Sequence, residues 1–278
     1  DKQQGDTFGY SVSISGDYAI VGAYSEDPDN IGSAGAAYIY KRNGTTWGDE
    51  QKITASDRQA NDEFGISVAI SGDYAIVGAP TEDPGGTIDA GAAYIYKRNA
   101  STGVWGDEQK ITAGDKQQGD RFGWSISLSG DYAIVSAQLK DSSAGAVYMY
   151  KRNASGVWGD EQKIQASDKE ANDRFGWSVS LSGDYAIVGS FFEDDGGTDA
   201  GAAYIYKRNA STGVWGDEQK IQASDKQASD FFGQFVSLSG DYAIVGAPNE
   251  DPSGTDLAGA AYIYKRNATT GVWGDEQK

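Results

Sequence analysis

The 278-residue chain has no cysteine, no histidine, a single methionine and five prolines. Without cysteine there is no disulfide framework and no thiolate nucleophile. Without histidine there is no imidazole base near neutral pH and no conventional zinc site. Positive charge is scarce: 23 Lys and Arg stand against 41 Asp and Glu, a formal net charge of −18. A field of that sign repels phosphate backbones and anionic membranes, so nucleic acid is not an expected partner. No apolar run approaches the ~20 residues of a spanning helix, and Asp1-Lys2-Gln3-Gln4 does not read as a signal peptide. Neither membrane insertion nor a targeting segment is expected.

Glycine, by contrast, is abundant at 38 residues, and much of it sits in a repeated text. The stretch "FGISVAISGDYAIVGAP", from Phe64 to Pro80, recurs with small changes around Phe8, Phe122, Phe175 and Phe232. Five units, about 1–55, 56–113, 114–166, 167–223 and 224–278, fill the chain. A period near 50 residues with four strand-like segments points to propeller blades or a related array. In the first segment Phe64, Ile66, Val68 and Ile70 alternate with Gly65, Ser67, Ala69 and Ser71. That period of two gives one bulky and one small face, which lets a sheet stack on its own copy. Ser71-Gly72-Asp73 supplies the turn between the first two strands, and "RNAST" or "RNGTT" the turn between the last two. The charged "WGDEQKI" segment suits an outer edge strand. Separate domains of one unit each would lack a sufficient core. The expected fold is therefore all-β: a single five-bladed β-propeller over 1–278 with four antiparallel strands per blade. A five-unit piece of a larger propeller is the competing architecture.

The Phe-Gly opening, Gly78-Ala79-Pro80, Gly246-Ala247-Pro248 and the "GAAYIY" strand resemble the FG-GAP repeat. That repeat builds the propeller at the head of integrin α chains and of many bacterial surface and secreted proteins. The resemblance implies adhesion or ligand binding at or outside the cell surface. Familiar propellers of this type have seven blades, so five units is a departure. The family's calcium loop lies between its first two strands, where all five units here have only "SGDY". Ca²⁺ needs six to eight oxygens, which one carboxylate on a tight turn cannot supply. The usual calcium site is therefore expected to be absent, and no cofactor is expected. Calcium elsewhere has only Asp194, Asp195 and Asp199 as weak candidate ligands.

The loops after the second strand, such as "YSEDPDNIGS" and "FFEDDGGTD", are acidic and differ most among units. A shared framework with divergent loops makes those loops the natural recognition surface. The candidate ligand-binding residues are Tyr24, Glu26, Asp27, Glu82, Asp83, Phe191, Phe192, Glu193, Asp194, Glu250 and Asp251. Trp124 and Trp177, after Phe-Gly, join them as aromatic candidates, with packing between blades as the plainer reading. Solvated turn chemistry accounts equally well for the acidic residues. Sequons at Asn43, Asn99, Asn153, Asn209 and Asn267 read first as one hairpin turn copied five times, and as glycan acceptors second. The Asp before Phe-Gly (Asp6, Asp62, Asp120, Asp173 and Asp230) reads as an acceptor of local backbone N–H bonds. Catalysis by paired carboxylates needs unlike environments, and near-identical units work against that. The expected function is a non-catalytic, monomeric recognition or adhesion module for a protein or glycan. A structural or engineered repeat scaffold without a ligand, and a multivalent lectin, are the alternatives.

Overall fold

The computed structural model describes residues 4–251 and 257–278, so residues 252–256 of the fifth acidic loop lie outside it. Each repeat contributes four strands. The first sheet is β1 (Val12–Ser15), β2 (Tyr18–Ala23), β3 (Ala36–Asn43) and β4 (Thr46–Ile53). The second is β5 (Ser67–Ser71), β6 (Tyr74–Ala79), β7 (Ala92–Arg98) and β8 (Trp105–Ile111). The third runs from β9 (Phe122–Ser129) through β10 (Tyr132–Ala137) and β11 (Ala146–Arg152) to β12 (Trp158–Ile164). The fourth holds β13 (Ser178–Ser182), β14 (Tyr185–Ser190), β15 (Ala202–Arg208) and β16 (Trp215–Ile221). The fifth holds β17 (Phe235–Ser239), β18 (Tyr242–Ala247), β19 (Ala260–Arg266) and β20 (Trp273–Gln277). In every sheet neighbours in sequence are neighbours in space. Five four-stranded antiparallel sheets, one per repeat, are the blades that the repeat pattern predicts. No helix among the described residues is long and apolar enough to cross a membrane.

The hairpin turn follows from its glycine. Ser15 pairs with Tyr18, leaving Gly16 and Asp17 as a two-residue loop. Gly16 has φ +57, as the first central position of a type II′ turn requires. Asp17 then accepts from the Arg42 guanidinium (Nε to Oδ1, 3.0 Å), tying this turn to the end of β3. The charged β4 lies at the sheet edge, as expected.

The chain divides into two compact units, Asp1–Ala137 with Tyr150–Glu161, and Gln138–Met149 with Gln162–Lys278. Inside each, one packing rule repeats. Ser13 and Ile20 are partners across β1 and β2 and share a face with Ser11 and Gly22; Val12 and Val21 share the other. The first may be named the trailing face, because the next repeat packs on it; the second is the leading face. Ile20, Ile39 and Ile53 meet Phe64, Val68, Ile70 and Val77 of the second sheet in one buried cluster. In the second unit Ile187, Ile205 and Ile221 meet Phe232, Leu238 and Val245 in the same way. Fully burying each such side chain contributes roughly 1.5–3 kcal/mol.

The two glycines of the motif sit where backbones touch. A Cβ on Gly22 would stand 2.0 Å from the carbonyl oxygen of Gly65, and one on Gly78 2.0 Å from that of Gly123. The Phe-Gly glycine of one repeat therefore rests on the Gly-Ala glycine of the preceding one. Ser11 Oγ donates to the Gly65 carbonyl at 2.8 Å, and Ser67 Oγ to that of Gly123 at 2.7 Å. At the outer edge the Gln51 amide donates to the Trp105 carbonyl (2.6 Å) and accepts from its N–H (2.8 Å). Gln219 holds Trp273 by the same two bonds.

Candidate functional site

The connection from second to third strand and the approach to Phe-Gly lie at one end of each sheet; the two hairpin turns lie at the other. The loop end carries the divergent residues. The glutamates of its "Glu-Asp" pairs are buried against lysines. Glu82 is 2% exposed, and Lys110 Nζ reaches its Oε1 at 2.6 Å and Asp57 at 2.7 Å. The Tyr94 hydroxyl donates to the other Asp57 oxygen at 2.8 Å. Lys220 with Glu193 and Asp168, and Lys278 with Glu250 and Asp225, repeat this arrangement. Glu26 is likewise buried against Lys52 and accepts from the Tyr38 hydroxyl.

Electrostatics follow burial. Burial pushes the Glu82 carboxyl up, more than Lys110 draws it down. For Lys110, burial works to lower the pKa, but its bonds to Asp57 and Glu82 outweigh it and hold the ammonium above its ordinary range. The following aspartates shape the loop: Asp27 accepts from Ser33 N–H (2.6 Å), Asp83 from Asp89 N–H (2.7 Å) and Asp251 from Leu257 N–H (2.5 Å). The structure thus places Glu26, Glu82, Glu193 and Glu250 inward against lysines, while Asp27, Asp83 and Asp251 bind their own loops. Lys140 occupies the glutamate position in the third repeat and is 1% exposed.

The weak cation candidates disperse in the same manner. Asp194 accepts from Asp199 N–H at 2.8 Å, while Asp195 turns to Lys220 at 3.2 Å. Among the described residues no three His, Cys, Asp or Glu side chains gather to hold a metal ion. The Asp before Phe-Gly accepts from the backbone N–H three residues earlier: Gln117 to Asp120, Glu170 to Asp173 and Gln227 to Asp230, each at 2.6 Å. Burial, partly offset by the Gln59 N–H bond, pushes Asp62 up to about 6. Asp173 is pushed up to about 6 for the same reason. The sequon asparagines shape their turns: Asn99 Oδ1 accepts from the N–H groups of Ser101 (2.9 Å) and Thr102 (3.1 Å).

What remains at the loop end is aromatic. Trp177 and Phe191 lie 4.7 Å apart between ring centres, and Phe191 and Phe192 3.9 Å apart. Phe231 stands edge-on to both, at 5.7 and 5.5 Å. The Arg174 guanidinium lies over Trp177 (5.8 Å) and Phe192 (5.6 Å). Phe191 is buried, whereas Trp177, Phe192, Phe231 and Arg174 are half-buried. The residues after Phe-Gly and after the second strand are thus side by side; Tyr10 and Tyr24 repeat the pairing at 4.7 Å. Trp124 is half-buried.

Phe231 and Arg174 escaped the sequence reading, although a signal existed. Of nine phenylalanines, five open the repeats and the other four fall between residues 191 and 235. Phe231 stands where the other repeats have Thr7, Glu63, Arg121 and Arg174. Its φ is +60, an uncommon conformation for a bulky residue, shared by Arg174 at +55. The backbone at this position aims the side chain at the loop, so any residue here becomes part of the loop surface.

Among the described residues, equivalent clefts recur at the hairpin end between successive repeats. Tyr18, Lys41, Asp49 and Trp105 line one of about 550 Å³; Tyr74, Lys97, Asp107 and Trp158 line one of about 460 Å³. Tyr185, Lys207, Asp217 and Trp273 line one of about 520 Å³. Each pairs a tyrosine edge-on with the next repeat's tryptophan, at 5.5, 5.7 and 5.6 Å.

No curated protein matches the chain. The FG-GAP repeat family model matches residues 1–40, 47–96, 105–150, 158–206 and 215–264. With five matched repeats on five four-stranded sheets, the chain belongs to the FG-GAP repeat family.

Proposed function

We propose that the chain is a non-catalytic recognition module, displayed at or outside the cell surface, that binds a protein or glycan at the loop end of its fourth repeat. The observation that carries this reading is the cluster of Trp177, Phe191, Phe192 and Phe231 under Arg174. It stands on loops, breaks the repeat consensus at several positions at once, and offers half-buried ring surface. Aromatic rings supply contact area at low entropic cost, and a guanidinium adds directional donors. A catalytic role finds no support at the same end. The carboxylates pushed up to about 6, Asp62 and Asp173, are 3% and 4% exposed.

The test is a glycan array and an extracellular-protein pull-down, each with the wild-type chain and with Phe192→Ser/Phe231→Thr, which installs residues of the first repeat. Binding by wild type and its loss in the variant, with an unchanged melting temperature, is the expected result. Binding that survives the double substitution would refute the assignment. The equivalent clefts favour one second reading, a multivalent lectin, since equal sites on one chain raise avidity. That reading requires several ligand equivalents per chain and indifference to Phe192 and Phe231.

A further inference from the structure

The trailing face of the fifth sheet departs from the others at one residue. Four repeats place a serine second after Phe-Gly's phenylalanine step, at Ser11, Ser67, Ser125 and Ser178; the fifth has Phe235. In the packed sheets the space before the Gly-Ala glycine is filled by the next repeat's glycine carbonyl. That oxygen lies 2.0 Å from a Cβ position on Gly22, 2.0 Å on Gly78 and 1.9 Å on Gly189. At Gly246 no such carbonyl lies near among the described residues: the atoms around a Cβ there belong to its cross-strand partner Phe235, Cβ at 3.7 Å and Cδ2 at 3.8 Å, so the ring stands beside the seat where the other repeats have a serine.

The rest of this face keeps what a following sheet uses. Ser178, Ser180 and Ser182 accept from the backbone of Val236, Leu238 and Gly240. Ser237 and Ser239 preserve the last two of these acceptors, and Tyr242 and Gln277 match Tyr18 and Gln51. The face is uncovered: Phe235 is 64% exposed, Tyr242 51% and Ile244 44%. On the first sheet the leading face is equally bare, with Val12 69% and Ile14 67% exposed. Val12, Ile14 and Trp47 have the identities of Val68, Ile70 and Trp105, which fill the packed junction. A second copy of this chain therefore carries the half-junction that the fifth sheet would otherwise accept.

We propose that Phe235 is a stop residue: it replaces the serine that donates to the incoming glycine carbonyl, sets a ring beside the seat of a second copy's Gly9 carbonyl, and prevents head-to-tail addition of chains through these two faces. Such a junction is heterologous and, left open, propagates. One aromatic side chain on an otherwise competent face blocks it without remaking the sheet.

The test compares wild type and Phe235→Ser by sedimentation velocity from micromolar to hundreds of micromolar. Wild type should stay monomeric. Phe235→Ser should gain mass with concentration, to dimers and beyond, and a second change on the leading face, Ile14→Lys, should return it to monomer. Phe235→Ser staying monomeric, wild type associating as strongly, or association indifferent to Ile14→Lys would each overturn the proposal. The converse variant needs no assembly: Ser11→Phe puts the ring into a packed junction and should lower the melting temperature. Unchanged melting of Ser11→Phe would show that the junction tolerates the ring, and the proposal would fall.

Discussion

Lys110→Met isolates the buried acidic loop. Glu82 is 2% exposed, and its Oε2 has no hydrogen-bond partner. Lys110 is the cation that holds its other oxygen, and the same ammonium bridges to Asp57. Methionine preserves the length of the stem and removes the charge. Asp57, whose side chain is 47% exposed, keeps water as a partner, so the loss falls on Glu82. Breaking a buried pair from one side costs about 3–5 kcal/mol, which corresponds to a fall in Tm on the order of 10 °C for a chain of this size. The carboxyl can escape the penalty by protonation. The deficit should therefore be largest at neutral pH and shrink as pH falls below the raised pKa of Glu82. Thermal melts at pH 7.5 and 4.5 measure both, and Glu82→Gln in the Lys110→Met background should recover most of the loss at pH 7.5. A Lys110→Met chain as stable as wild type at pH 7.5, or a double variant with no recovery, would refute the reasoning.

Asp62→Asn should stabilise the chain above pH 6. The folded pKa of Asp62 is raised from 3.8 to about 6, so its contribution is complete below about 4 and is lost as pH rises through 6. The gap corresponds to at most about 3 kcal/mol; denaturant melts at pH 4 and 8 should show the gain only at pH 8, and equal gain at both would count against it. Gly78→Ala drives a methyl to within 2.0 Å of the Gly123 carbonyl, and overpacking of this kind costs about 1–3 kcal/mol or more; an unchanged melting temperature would contradict the contact. Calcium and EDTA should leave Tm unmoved, because the loop carboxylates are engaged by lysines and backbone N–H groups; a calcium-dependent rise would show a site assembled in solution.

The blade was legible because its signals are local. Alternating large and small residues, a glycine in each hairpin and a fixed period determine strands, turns and sheet order without knowledge of distant contacts. The partners of the acidic loops were not legible, for a physical reason. Asp, Pro and Gly in a row describe a solvated turn as well as a binding loop, and sequence alone does not show where a side chain points. Lys110, which holds Glu82, lies in the charged edge segment, 28 positions away. The aromatic site was half legible. Trp177, Phe191 and Phe192 stood out as departures from the repeat, whereas Phe231, adjacent to Phe232, was absorbed into the Phe-Gly motif. The register that sets the start of the first strand beside the end of the second joins Trp177 to Phe191, and the next repeat, whose Phe231 N–H donates to the Asp199 carbonyl, adds Phe231.

Repetition itself explains why function gathers where it does. A residue that contacts the next copy, as Gly22 contacts Gly65 and Gln51 clamps Trp105, is constrained from two sides at once. Changing it in one repeat disturbs a junction on which two sheets depend. The half-buried side chains at the loop end, and the exposed side chains on the trailing face of the fifth sheet, are less constrained in this way. Phe191, Phe192, Phe231 and Phe235 all occupy those two kinds of place. The bulky departures therefore mark where this chain stops serving its own packing and begins to govern what else it touches. Moving the quartet Trp177, Phe191, Phe192 and Phe231 into the second repeat, at Ile66, Pro80, Thr81 and Asp120's neighbour Arg121, should leave the sheets intact and create a second site of the same specificity, measured as a doubling of ligand equivalents per chain. Loss of folding on that transfer would show that the loop end is bound by packing after all.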